Sequence, residues 1–181
     1  MIASDSDLYL STMEVKSRTR ILDDWSVRQI IRRLAHQVLE DHYREDRIAI
    51  VGVQGMGAAV AALLEEEFSA ISDIPFECFE VVLNKQRPAA STVEFLGDFD
   101  ALNGCAVLLV DDVLNSGKTL SYAMAHLLAA EPKSLKTVVL VDRIHRTFPI
   151  RADYHGMLLS TNMKEHVSVE FAEGTYAAWL E

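Results

Sequence analysis

The chain of 181 residues has only two cysteines, Cys78 and Cys105, and both sit inside apolar runs without metal-ligand spacing. That excludes a disulfide framework and reads both as buried free thiols. No apolar run approaches the ~20 residues that span a bilayer, so no membrane partner is expected. Met1 to Ser11 carries two aspartates and lacks the basic start and apolar core of a secretory signal, so the expected location is the cytoplasm. Positive charge is also scarce: 17 Lys and Arg face 27 Asp and Glu, a formal net charge of −10. Such a surface repels polyanions unless one face overrides it, which disfavours general nucleic-acid binding and leaves a localised RNA site open. Internal repeats and low-complexity linkers are absent. What remains is ordinary globular composition, most economically one domain that buries about two thirds of its unfolded surface.

Met1 to Thr19 is polar and aperiodic and reads as an arm, ordered only if something docks it; residues 20–181 form the domain. Asp23 or Asp24 can cap a helix whose apolar positions, Val27, Ile30, Ile31, Leu34, Ala35, Val38 and Leu39, recur every three or four residues. RIAIVGV then reads as a strand, Gly55 and Gly57 as a turn, and AAVAALLEEEF as a helix. FECFEVVL, CAVLLV and KTVVLVD are further strands, with a helix from about Lys118 to Ala130 and short strand candidates at Tyr154 to Leu159 and Val167 to Phe171. Strands alternating with helices and near-continuous apolar runs predict an α/β fold, a three-layer domain with a central parallel sheet. The ligand crevice of such a sheet lies at the carboxyl ends of its strands.

VLLVDDVLNSGKTL, Val107 to Leu120, ends like a nucleotide-binding loop, yet the first glycine of G-x-x-x-x-G-K-S/T is missing: its place holds Asp112. An ATPase loop is excluded. With Val110 as the last buried strand residue, Asp111 and Asp112 emerge on opposite sides of the strand at the sheet's carboxyl edge. Asn115, Ser116, Gly117, Lys118 and Thr119 then turn into a helix start, where free amides and the helix dipole favour a phosphate. Carboxylates do not bind phosphate; they accept from a diol or attract a metal-bound ligand. A sugar phosphate satisfies both halves.

LLVDDVLNSGKT resembles the signature of the type I phosphoribosyltransferases, an acidic pair followed by a phosphate turn. VLVDRIHRTFPIRADYHG and ILDDWSVRQIIRRLAHQVLE are similar to segments of the pyrimidine-operon attenuator and uracil phosphoribosyltransferase branch, and with STNMKEHVSVEF the matches run from Ile21 to Phe171. The resemblance implies a small hood built from the chain ends and transfer of a 5-phosphoribosyl group from phosphoribosyl pyrophosphate to a nucleobase, with uracil leading. It implies Mg²⁺ bridging substrate oxygens rather than a direct protein metal site. Asp111 and Asp112 are the catalytic pair holding the ribose hydroxyls, and Asn115 through Thr119 hold the 5′-phosphate. Gln54, Gly55, Met56 and Gly57 are placed as the pyrophosphate loop. Here the branch usually carries two cations where this chain has Gln54 and Met56; Lys85 and Arg87, in a flap over residues 84–97, are the substitutes in reach. Tyr154 is placed to stack on the base and His155 to read its edge through the backbone; for Tyr154, packing in the core is an equal alternative. Arg143, His145, Arg146 and Arg151 make a basic cluster, for pyrophosphate or RNA contacts or for surface ion pairs. A homo-oligomer is expected.

Asn115 bears on the choice of base, because purine-type relatives commonly place an aspartate there to take or share a proton at the imidazole nitrogen, and a neutral amide cannot do so. Two rivals to the uracil reading stand: a purine phosphoribosyltransferase, and a nucleotide-sensing RNA-binding attenuator of pyrimidine genes with little catalysis.

Overall fold

The computed structural model describes residues 18–84, 92–160 and 165–181. Strand β1 (Thr19–Leu22) leads into helix α1 (Asp24–His42), whose N-cap Asp23 accepts from the Ser26 backbone amide at 2.9 Å. Strand β2 (Ile48–Val53) is buried at every position, as a strand covered on both faces must be. Helix α2 (Met56–Ile71), strand β3 (Phe76–Val82) and the short strand β4 (Glu94–Leu96) follow, then β5 (Ala106–Leu114), α3 (Lys118–Leu127), β6 (Ser134–Arg143) and β7 (Tyr154–Leu159). The chain closes with β8 (Val167–Ala172) and β9 (Thr175–Leu180).

Six strands form one sheet in the order β4-β3-β2-β5-β6-β7. Every neighbouring pair in it is parallel except β3 with β4. The expected α/β architecture is therefore present, with one antiparallel edge. Its two faces carry separate cores. Val27, Ile31, Leu34 and Val38 of α1 join Val60, Leu64 and Phe68 of α2 on one side, while Leu120, Ala123 and Leu127 of α3 cover the other. Phe68 is fully buried and stacks on Phe76 with ring centroids 4.7 Å apart. Burying one side chain of that size is worth about 1.5–3 kcal/mol, so these two faces dominate the stability of the fold.

The hood is a second, antiparallel sheet in the order β1-β9-β8. Its Val167, Val169, Tyr176 and Ala178 join the α1/α2 core, and the Tyr176 amide donates to Asp24 at 2.9 Å.

Four expectations need correction. Val110 is not the end of its strand: β5 runs on to Leu114 because Asp111, Val113 and Leu114 keep pairing with β6. Of the stretch 84–97, residues 94–96 are a strand, since Phe95 pairs with Val81 and stacks on Phe79 and Phe99. Arg18 and Thr19 belong to the hood rather than to an arm: Thr19 pairs with Leu180, and Arg18 lies over the Trp179 ring at 4.5 Å. Cys78 is exposed on the outer part of the sheet; only Cys105 is buried.

Among the described residues, no helix is long and apolar enough to cross a membrane.

Candidate functional site

A cavity of about 360 Å³ opens at the carboxyl end of β5, a size that suits a small molecule. Asp111, Asp112, Asn115, Ser116, Gly117 and Thr119 line one side of it, and His166 to Val169 of the hood line the other. The site therefore lies between the two sheets. The parallel sheet supplies the acids and the turn, because strand and helix hand over there; the hood supplies the opposing wall.

The two acids differ. Asp111 is buried at 3% exposure, and its Oδ1 accepts from the Asp112 amide at 3.0 Å. Asp112 is half-buried in the cavity wall. As alternation along a strand requires, they are not equivalent: both line the cavity, but Asp111 is nearly buried and Asp112 is the more accessible.

The turn after them is held in shape by the chain that follows β6. The Ser116 carbonyl accepts from the amides of Thr147 at 3.1 Å and Phe148 at 3.0 Å. Gly117 takes φ +83°, and a Cβ there would come within 2.5 Å of Ile150 Cγ2, so both conformation and space call for glycine. Gly117 caps α3 without any side-chain cap, and Ser116 Oγ accepts from the Lys118 amide at 3.3 Å. Helix-start amides beside two hydroxyls suit an anion of phosphate type. Lys118 itself is not among the residues lining the cavity.

The loop Gln54 to Gly57 lies next to this site but outside the cavity lining. Gly55, at φ +92°, caps α2, and Gly57 abuts the acids: a Cβ on it would sit 3.0 Å from both Asp111 Oδ1 and the Val110 carbonyl. Gln54 is exposed, its amide donating to the Val81 carbonyl at 3.0 Å, while Met56 packs against the core. Lys85 and Arg87 lie outside the described residues.

The base-stacking role expected for Tyr154 does not fit the structure. Its register partner is Val138, in the middle of β6, and it is 7% exposed within the core. Its hydroxyl donates to Asp41 Oδ2 at 2.6 Å, near the far end of α1 from the site. Burial, then the Asp41 hydrogen bond and charge, hold its phenol above the ordinary tyrosine range. It is a packing residue. His155 is exposed and borders a separate depression with Arg146, Arg151 and Leu158, so its side chain is likewise away from the cavity.

The basic cluster also separates. Arg146 Nη2 donates to both carboxylate oxygens of Asp142, at 2.7 Å each. Arg143, 8% exposed, instead donates from Nη1 to Asn115 Oδ1 at 3.0 Å, which links the end of β6 to the phosphate turn. That contact is legible only once β5 and β6 are known to be neighbours. The wall from His166 to Val169 is legible as a strand but not as part of the site, because it reaches the cavity through the pairing of β8 with β9.

The residues offer a hard cation oxygen donors alone, the carboxylates of Asp111 and Asp112. No group of three or more His, Cys, Asp or Glu side chains gathers at metal-binding geometry among the described residues. A Mg²⁺ ion would therefore fit here as one shared with substrate oxygens.

A buried and an accessible acid at a strand's carboxyl end, a glycine-capped turn of free amides and an opposing hood sit on a mostly parallel α/β sheet of the type I phosphoribosyltransferase kind. Residues 17–173 match the model of the phosphoribosyl transferase domain, and the chain belongs to that family. It is 35% identical to the bifunctional protein PyrR of Haemophilus ducreyi over 159 residues, covering 82% of this chain and 87% of that protein. It is 33% identical to the bifunctional protein PyrR of Caldicellulosiruptor bescii, covering 82% and 86%. Among solved structures, the fold matches hypoxanthine phosphoribosyltransferase of Trypanosoma cruzi with a TM-score of 0.67 at 21% identity, covering 78% of this chain and 81% of that one. It matches a hypoxanthine-guanine phosphoribosyltransferase of Bacillus anthracis with a TM-score of 0.66 at 23% identity, covering 78% and 82%.

Proposed function

We propose that this protein transfers the 5-phosphoribosyl group from phosphoribosyl pyrophosphate to uracil, giving UMP and pyrophosphate. The observation that carries this reading is that Asp112 and the turn residues Asn115, Ser116, Gly117 and Thr119 line one cavity, an acid suited to a diol beside amides and hydroxyls suited to a phosphate. In the reaction uracil first loses its ring-nitrogen proton to water; the anionic nitrogen then bonds to the anomeric carbon as the bond from that carbon to pyrophosphate oxygen breaks and its electron pair leaves with pyrophosphate. The turn amides, Ser116 and Thr119 hold the 5′-phosphate. Asp112 accepts from the ribose hydroxyls, with Asp111 fixing its backbone. Two carboxylates beside a sugar that gains positive character lower the barrier electrostatically. Gly55 to Gly57 place backbone amides by the leaving group, and Mg²⁺, when bound with the substrate, neutralises pyrophosphate charge. Uracil is favoured over a purine because Asn115 offers a neutral amide where proton removal from an imidazole ring needs an acceptor.

The test is pyrophosphate release with each nucleobase in turn. Uracil is expected to react, with hypoxanthine and guanine giving little or nothing; a purine preference would overturn the choice of base.

A second reading, a nucleotide-sensing RNA-binding regulator with little catalysis, is favoured by the neutral Gln54 and Met56 in the loop beside the site. It predicts that UMP changes the affinity for a folded RNA while no base gives turnover.

A further inference from the structure

We infer that Arg143 sets the base preference of the site by fixing which way round the Asn115 carboxamide lies, a deduction that rests on the phosphoribosyl-transfer reading above. A guanidinium has donors only, so the atom it meets 3.0 Å away on Asn115 is the carbonyl oxygen, and the planar amide must turn its NH₂ to the other side. Asn115 lines the cavity, so a ligand there meets a hydrogen-bond donor at this position rather than an acceptor.

The surroundings explain why Arg143 is committed to this contact. Successive side chains of a strand alternate, and the carboxylate of Asp142 is already held by Arg146. Leu114 pairs with Asp142 across β5 and β6, which brings the next residues, Asn115 and Arg143, side by side at the strand ends. Arg143 is nearly buried, so its orientation is fixed by the packing around it.

A donor here selects by chemistry. A pyrimidine that reacts through its ring nitrogen carries a carbonyl oxygen on the adjacent carbon, an acceptor that an NH₂ can serve, and a deprotonated ring gains further from it. A purine that reacts through one imidazole nitrogen while the other carries hydrogen presents a donor, which an NH₂ opposes. Arg143 is thus a positioning residue that acts through Asn115.

The experiment is steady-state kinetics on the full chain with uracil and hypoxanthine, measuring KM for each base and for phosphoribosyl pyrophosphate. Arg143→Met frees the amide to rotate. It should raise KM for uracil about tenfold, the loss expected for one hydrogen bond, narrow the uracil-to-hypoxanthine ratio of kcat/KM, and leave KM for phosphoribosyl pyrophosphate within about twofold. Arg143→Lys, which keeps a donor, should retain most of the preference. In an Asn115→Ala background Arg143→Met should change little further, because the group it acts through is gone. If Arg143→Met does not fold, Asn115→Asp in the partly exposed turn carries the test: its carboxylate is all acceptor, and uracil must lose ground to hypoxanthine. An unchanged base ratio in Arg143→Met or Asn115→Asp, or additive effects in the double variant, overturns the inference. Wild-type protein that releases no pyrophosphate with uracil instead defeats the functional reading beneath it.

Discussion

At the residue scale the unequal acids make Asp112 the sharper probe of the site. It is the accessible member of the pair, and its carboxylate makes no hydrogen bond or ion pair among the described residues, whereas Asp111 holds the Asp112 amide. Asp112→Asn should preserve the fold and weaken phosphoribosyl pyrophosphate binding by about 1.5–3 kcal/mol, the value of hydrogen bonds to a charged group. Isothermal titration calorimetry reads this directly as a tenfold to hundredfold rise in Kd, on the order of what that energy implies. An affinity equal to the wild type would remove Asp112 from the ribose site. The acids and the turn were legible in the sequence because a strand end, two carboxylates and a glycine turn are local. Arg143 was not, because its partner lies 28 residues away and meets it only across a sheet pairing. Tyr154 stays undecided in the sequence for a related reason: a tyrosine between Asp153 and His155 reads alike as a stacking ring or as core, and only the distant Asp41 decides it.

Among the elements, the parallel strands β2, β5 and β6 announce themselves as apolar runs, and α1 by its spacing and cap. The short strands β1, β4 and β9 do not, since their stability comes from partners far along the chain rather than from their own pattern. The connection from β6 to β7 is also long-range in its anchoring. Asp153 Oδ2 accepts from the Thr137 amide at 2.9 Å and its hydroxyl at 3.0 Å, and Lys136 reaches Oδ1 at 3.1 Å. Burial pushes the Asp153 carboxyl up, but these hydrogen bonds and the lysine charge outweigh it and hold the group below the usual aspartate range. A depressed carboxyl contributes stability that is present above its unfolded pKa and fades as pH falls through the folded one. Because the group is partly exposed, the contribution is screened to about 1 kcal/mol. Asp153→Asn should therefore lower stability at pH 7, and the gap to the wild type should close in acid, below the ordinary aspartate range of about 3.9. Urea melts across pH test this; a gap that stays constant through that range and well below it would mean the anchor is not electrostatic. The same loop supplies Thr147, Phe148 and Ile150 to the phosphate turn, so fixing this connection also fixes the site.

For the whole molecule, the main consequence is that the cavity lies between two sheets of unequal strength. The six-stranded sheet has helices on both faces, while the three-stranded hood has no core of its own and shares the one under α1 and α2, so it depends on its ties to the rest. Those ties are the apolar contacts with α1 and the Tyr176 amide on Asp24; within the hood, the paired backbone of His166 and Glu181 carries the cavity wall. A nucleotide that touches the phosphate turn and the hood wall must couple the two. At a UMP concentration about 100 times its Kd the folded state gains about 2.7 kcal/mol. For a chain of this length that raises Tm by about 5–10 °C. Asp24→Ala, which removes the amide acceptor beneath the hood, should lower the basal Tm. At the same UMP concentration it should also shrink the UMP-induced rise, because part of the binding free energy then goes into ordering the hood. Differential scanning calorimetry with and without UMP separates the two effects. A variant with a lower basal Tm but an undiminished rise would show that the hood is a passive cover, and that the nucleotide is held by the turn and Asp112 alone.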